Sequence, residues 1–283
     1  MNTSVLQDVV LGEDEFRRIS DLVYEHCGIN LHDGKKELVR ARLAKRLHKG
    51  RFTSFSQYIK HVLEDPTGKE FSILVDSLST NLTKFFREER HFEYMRAQLL
   101  PRLMKAKQSR GPLRIRGWSA GCSSGEEPYS IALTLIESLG GKGGRWDARL
   151  LATDVSTRIL ERARAGVYDR ERIEPIPLPL RNEYLICRRE GMKEQYEVGP
   201  ALRSLVIFRY LNLMKDWPVK GPIDFIFCRN VMIYFDKPTQ ARLIRRFYDL
   251  LDSGGVLFTG HSESLTGIEH AFKYVQPTIY QKP

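Results

Sequence analysis

In the run Asn81-Leu-Thr-Lys-Phe-Phe-Arg87, two short polar side chains, Asn81 and Thr83, and a fixed cation, Arg87, surround the aromatic pair Phe85 and Phe86. That set of groups suits a ligand carrying a carboxylate, an amine and an adenine. A second run, Gly117-Trp-Ser-Ala-Gly-Cys-Ser-Ser-Gly125, is made mostly of small residues that let a ligand come close to the backbone before a helix begins. It is not the Gly-x-Gly-x-x-Gly of dinucleotide dehydrogenases, and it lacks the Gly-Lys-Ser/Thr of a phosphate-cradling loop. Glu126 and Glu127 follow at the helix start, where the dipole favours acids but where acids would repel a pyrophosphate. The loop therefore suits a ligand without phosphates and with a positive end, a description that S-adenosylmethionine meets through its amine and sulfonium.

Two further segments carry groups of the same kind. Asp154 ends an apolar run where Rossmann-like folds place an acid for ribose hydroxyls, and its alternative role is to cap the next helix. It stands farther from the glycine loop than the usual spacing, and Gly140-Gly-Lys-Gly-Gly144 reads as an extended turn that absorbs the difference. Cys228-Arg-Asn-Val-Met-Ile-Tyr234 occupies the place of the Asn/Asp-Pro-Pro-aromatic motif of enzymes that methylate amino groups of DNA bases, which argues against a base-modifying activity. Arg229 and Asn230 fall where that strand would open onto a ligand, and Tyr234 falls one turn beyond. His261 has the type of a general base but reads as a structural loop histidine, and no Ser-His-Asp or Cys-His arrangement is evident.

The elements that must position these residues are of two kinds. Phe16, Ile19, Leu22, Val23 and Cys27 follow helical spacing up to Gly28, and Val39, Leu43 and Leu47 do so up to Gly50. Tyr58 to Leu63 and Phe71 to Leu78 suggest two more helices. These predict a helical domain over 1–104, with a polar linker ending in Gly-Pro over 105–112. From 113 to 283, the apolar runs 113–118, 148–153, 223–228 and 255–260 alternate with helical stretches. That alternation predicts an α/β fold with a parallel, doubly wound sheet. The short β-like runs at 184–208 read as a small antiparallel insertion.

The net charge of +10 is unevenly placed. Residues 1–34 carry two basic and seven acidic side chains, whereas residues 35–51 carry eight basic side chains against Glu37 alone. On a helical wheel Lys35, Arg42, Lys45, Arg46 and Lys49 share one arc beside the apolar stripe, which means an anionic partner or a solvated helix. No run is apolar enough to span a membrane, and Met1 to Asp8 lack the pattern of an export signal, so a cytoplasmic protein without membrane insertion is expected. Cys27, Cys122, Cys187 and Cys228 form no C-x-x-C pair and read as buried thiols; no metal is expected.

The segments Asn81 to Arg87, Gly121 to Tyr129 and Phe227 to Phe235 together resemble the chemotaxis receptor methyltransferase family, CheR, over about Phe16 to Tyr280. The resemblance implies a helical N-terminal domain ahead of a Rossmann-like methyltransferase domain with a β insertion. It implies transfer of a methyl group from S-adenosylmethionine to receptor glutamates, leaving S-adenosylhomocysteine. Asn81, Thr83 and Arg87 match positions that hold the methionine part of the cofactor, Glu127 its amino end, Asp154 its ribose, and Asn212 and Leu213 the adenine side. Arg229 and Asn230 match cofactor contacts, and Arg87, Arg229 and Tyr234 would align the reacting groups. The basic arc would dock on the coiled-coil cytoplasmic domain of methyl-accepting receptors, with the enzyme acting as a monomer. Glu126 and the run Gly260-His-Ser-Glu263 match the family without an assigned role. A same-fold methyltransferase acting on another protein or a small acid, and a nonenzymatic binding module, are the alternatives. Nucleic acid is not an expected partner, because no aromatic-basic interleaving appears.

Overall fold

The computed structural model describes residues 9–79, 82–110, 113–141, 145–190 and 193–283. Helix α1 (Glu13–Cys27) buries Phe16, Ile19, Val23 and Cys27, one face at helical spacing. It stops at Gly28, whose φ of 71° few other residues adopt and whose amide bonds the Tyr24 carbonyl. Helices α2 (Lys36–Gly50), α3 (Phe55–Glu64) and α4 (Lys69–Leu78) close around the same core, and Ser54 caps α3 by accepting the Gln57 amide hydrogen.

The division between domains lies earlier than the sequence suggests. The helical core ends at Leu78, and Phe85 already belongs to the core of the second domain. Helix α5 (Arg90–Tyr94), a π-helical stretch (Met95–Leu99) and helix α6 (Leu100–Arg110) run on continuously and pack Phe92, Met95, Leu99 and Leu103 onto that second core. The expected linker at 105–112 is thus helical as far as Arg110, and Lys107 Nζ lies 2.6 Å from buried Asp224. Polar composition there reflects a helix lying on the domain surface rather than a connector.

The second domain is built on a seven-stranded sheet in the order β6-β2-β1-β7-β8-β10-β9. Strands β1 (Arg114–Ala120), β2 (Asp147–Asp154), β6 (Val206–Tyr210), β7 (Ile223–Cys228) and β8 (Leu251–Thr259) are parallel, while β10 (Ile279–Gln281) pairs antiparallel with both β8 and the edge strand β9 (Lys273–Gln276). Alternate residues of β7 serve the two faces: Phe225 and Phe227 enter one core, and Ile226 and Cys228 the other. Helices α7 (Glu126–Ser138), α8 (Thr157–Ala165) and, after three short helices α9 (Arg170–Ile173), α10 (Leu178–Tyr184) and α11 (Pro200–Arg203), α12 (Lys237–Leu250) cover the sheet. The chain moves outward from β1 to β2 and β6, then crosses to β7 and β8, so the strand order reverses between β1 and β7, where such sheets bind ligands.

The antiparallel insertion is present with different limits. Its order is β3-β5-β4, from Val167–Asp169, Lys193–Val198 and Leu185–Glu190. Residues 206–208, expected within it, instead belong to an edge strand of the main sheet, which pairs Leu150 to Asp154 with Val206 to Tyr210.

The α2–α4 contact holds a largely buried ion pair. Arg46 Nε donates to Glu70 Oε1 at 2.6 Å and Nη2 to Oε2 at 2.5 Å, with side-chain exposures of 19% and 7%. Replacing Arg46 by Met is expected to lower the unfolding free energy by about 2 to 4 kcal/mol in a urea titration, because Glu70 would lose its partner. Lys45→Met, on an exposed neighbour, should change it by less than about 0.5 kcal/mol. Equal small losses would show that the pair contributes nothing beyond a surface contact.

Candidate active site

A cavity of about 260 Å³ opens at the carboxyl ends of β1, β2 and β7. Thr83, Arg87, Glu127, Asp154, Asn212, Leu213, Arg229, Asn230 and Tyr234 all line it. Asn81 lies outside the described residues. Cys27 and Ile29, at the end of α1, close one side, a contribution that sequence reasoning missed. The first domain reaches the site here: the Asn30 amide bonds the Tyr234 carbonyl at 2.8 Å, Tyr24 donates to Asp236 at 2.7 Å, and Asn212 Nδ2 donates to the His26 carbonyl. A Cβ on Gly28 would come within 2.4 Å of Met214 Sδ and displace that side chain, and the φ of 71° there also favours glycine. Burial pushes the Cys27 thiol up to about 12, which leaves it an uncharged wall.

The glycine loop owes its path to hydrogen bonds across β1 and β2. The Gly121 and Cys122 amides both donate to the Thr153 carbonyl, at 2.8 and 2.9 Å. Gly121 has φ 89°, and a Cβ there would strike Val231 Cγ2 at 2.3 Å. Asp154 accepts from the Ser123 amide at 2.9 Å and the Ser156 amide at 3.0 Å, while the cap of α8 is Ser156 itself. Asp154 is therefore not the helix cap. Burial raises its pKa despite those two amides.

The adjacent glutamates separate cleanly. Glu126 accepts from Ser124 Oγ at 2.7 Å and Arg172 Nη1 at 2.5 Å, and it points away from the cavity. Glu127 faces it, accepting from Ser119 Oγ at 2.7 Å. Burial raises the Glu127 pKa above the ordinary value, with Arg229 and Ser119 opposing the rise.

Arg229 is the hub of the site. Its side chain is 1% exposed and lies beside the packed pair of rings Phe92 and Phe227, with Cζ 5.7 Å from each centroid. Nε is 3.3 Å from Glu88 Oε2, Nη2 donates to the Arg87 carbonyl, and Nη1 is 3.5 Å from Glu127 Oε2 without forming a hydrogen bond. Sequence reasoning missed Glu88, although it directly follows the Asn81 to Arg87 run. Glu263 was a family match without a role, and its role is structural. Its carboxylate accepts from the Gly260 and Asn230 amides at 2.6 Å each and from the Ile233 amide at 3.1 Å. Those bonds hold Asn230 at φ 59°, and Phe86, Glu88 and Ser123 around the cavity share left-handed backbone.

The basic arc does not survive as one free face. Arg46 is committed to Glu70, Arg42 donates to the Leu78 carbonyl, and Lys35 is half-buried with Nζ 6.0 Å from the centroid of the Tyr234 ring. Lys45 and Lys49 remain exposed. The thiols also differ from expectation in one case: Cys187 is exposed, on β4 of the insertion, whereas Cys27, Cys122 and Cys228 are buried.

Comparison with known proteins gives a consistent answer over the chain. The CheR methyltransferase SAM-binding domain family matches residues 81–281, and the CheR methyltransferase all-alpha domain matches residues 14–79. Chemotaxis protein methyltransferase 2 of Pseudomonas aeruginosa is 42% identical over 268 residues, covering 94% of this chain and 92% of the relative. The chemotaxis protein methyltransferase of Escherichia coli is 40% identical over 274 residues, with 96% and 92% covered. That of Borreliella burgdorferi is 39% identical over 277 residues, with 97% and 96% covered.

The raised pKa of Glu127 has a consequence for stability. The native state binds this proton more readily than the unfolded chain, so the ionised group opposes folding at neutral pH, and the penalty fades as pH falls through the raised value toward 4.5. Glu127→Gln is therefore expected to raise the melting temperature of the ligand-free protein at pH 8, with the gain shrinking under acid conditions. A variant that melts lower at pH 8 would mean that pairing with Arg229 outweighs the cost of burial.

Proposed function

The chain belongs to the CheR methyltransferase family, and on that premise we propose that it transfers a methyl group from S-adenosylmethionine to glutamate side chains of chemotaxis receptors, forming glutamyl methyl esters. The observation that carries this reading is the composition of the cavity: a largely buried acid with an unfavoured charge, Glu127, stands next to an arginine whose Nη1 has no hydrogen-bond partner among the described residues. A ligand bearing both an ammonium and a carboxylate answers both groups at once, where a phosphate-bearing cofactor would oppose the acids.

The residues present fit that cofactor. Glu127 would hold its amine, Arg229 Nη1 with Arg87 and Thr83 its carboxylate end, Asp154 its ribose hydroxyls, and Leu213 with Asn212 the adenine side. When bound, it supplies an electrophilic methyl group on a sulfonium sulfur. A glutamate nucleophile with a pKa near about 4.3 is already ionised at neutral pH, so the protein needs no general base. Alignment and exclusion of water are what remain for the protein. Arg229 is fixed by Glu88 beside two aromatic rings, so it would align the cofactor it holds with the reacting carboxylate rather than capture that carboxylate. Tyr234 stands on the opposite lip beside Lys35, where a receptor helix would enter. The helical domain would dock that helix through Lys35, Lys45 and Lys49, and the enzyme would work in the cytoplasm; among the described residues no helix is long and apolar enough to cross a membrane.

Incubation with tritiated S-adenosylmethionine and receptor-bearing membranes is expected to place base-labile label on the receptors. Label on a small acid or another protein instead would favour the alternative substrate. Tyr234→Phe should lower kcat more than cofactor affinity, as an aligning group would. Lys45→Glu with Lys49→Glu should raise the receptor KM severalfold at low salt, and the difference should close as salt shortens the Debye length to about 8 Å and below. Unchanged KM at every salt concentration would remove this helix from docking.

A further inference from the structure

Glu88, His91 and His261 bring one carboxylate oxygen and two imidazole nitrogens within 4.8 Å of one another, and none of the three lines the cavity above. Glu88 Oε2 is 3.6 Å from His91 Nδ1 and 4.0 Å from His261 Nε2. The tautomer of His91 follows from its other nitrogen. Nε2 lies 2.7 Å from Thr278 Oγ1, whose own hydrogen goes to the Pro277 carbonyl at 2.6 Å, so Nε2 carries the proton. Nδ1 is then an unprotonated lone pair. It is buried, has no hydrogen-bond partner among the described residues, and faces a carboxylate. A buried lone pair set against an anionic oxygen is unfavourable unless a cation lies between them.

We infer that Glu88, His91 and His261 form a binding site for one divalent transition-metal ion of the zinc class. Two imidazoles and a carboxylate are ligands of the type such ions prefer. Tetrahedral coordination at about 2.0 to 2.1 Å sets ligand atoms on the order of 3.3 Å apart, so the three need to close by less than about 1.5 Å. His261 can move: its side chain is 60% exposed. The His91 Nε2 bond to Thr278 supplies the outer contact that orients a ligating imidazole. Both histidines also line a second cavity of about 380 Å³, which leaves room for a water ligand and a route for the ion. Arg229 Nε lies 3.3 Å from the same Glu88 oxygen and opposes the ion, but its charge is shared with Glu127. The ion would join the loop after β8 to the start of α5 and brace the backing of Arg229. The site is independent of the substrate reading.

Cobalt(II) tests this directly, because nitrogen and oxygen ligands give d–d bands whereas thiolates add a charge-transfer band. Titrated into tag-free Cys187→Ser protein, in which the exposed thiol is gone, it is expected to bind one ion per chain, show d–d bands without the sulfur band, and raise the melting temperature. His261→Gln changes an exposed side chain, so the variant should fold as before and bind at least about tenfold more weakly. Absence of saturable binding in the Cys187→Ser protein overturns the inference, as does equal affinity in the His261→Gln variant.

Discussion

Arg229 carries a positive charge to a place where its side chain is 1% exposed, and the geometry of the site follows from how that charge is contained. Burying an unpaired guanidinium costs several kcal/mol, so it is met by the carboxylates of Glu88 and Glu127, with the rings of Phe92 and Phe227 packed beside it. Its bond to the Arg87 carbonyl ties the segment before α5 to the end of β7. One side chain thereby sets the spacing between loops that come from distant parts of the chain. Loss of this cation would leave two buried acids facing each other as well as free the Arg87 segment.

Around Arg229 the site keeps features that work against stability. Glu263 is buried and Glu127 and Asp154 are partly buried, and loss of hydration raises the pKa of all three. Phe86, Glu88, Ser123 and Asn230 hold left-handed backbone without being glycine. Glu263 shows how such strain persists: three backbone amides converge on one carboxylate and leave the Asn230 turn no other arrangement. A ligand with matching charges would offset these costs.

The basic helix shows why a charge count misleads when read without its surroundings. Arg46 finds Glu70, which lies 24 residues away and is itself buried, so a residue that looks like part of a docking face holds two helices together. Arg42 spends a donor on the Leu78 carbonyl at the end of α4. What remains for a partner is Lys45 and Lys49, with Lys35 placed toward the cavity mouth beside Tyr234.

Helical faces such as Phe16, Ile19 and Val23, the strand runs ending in Asp154 and Cys228, and several of the polar residues that line the cavity were legible from the chain alone, whereas its wall from Cys27 and Ile29 was not. Burial on one face repeats at 3.6 or 2 residues, and small residues with acids mark loops before any packing is known. The edge strand at 206–210, the extension of α6 through the expected linker and the division near residue 80 were not legible, because polar surface composition does not distinguish a helix lying on a domain from a connector. Nor could the sequence separate Glu126 from Glu127. That choice depends on Arg172, 46 residues away, just as the role of Glu88 depends on Arg229, 141 residues away. Periodicity is local and reports which side of an element is buried; charge pairing is decided only when packing brings remote elements within a few ångströms, and so the pairs belong to the tertiary structure.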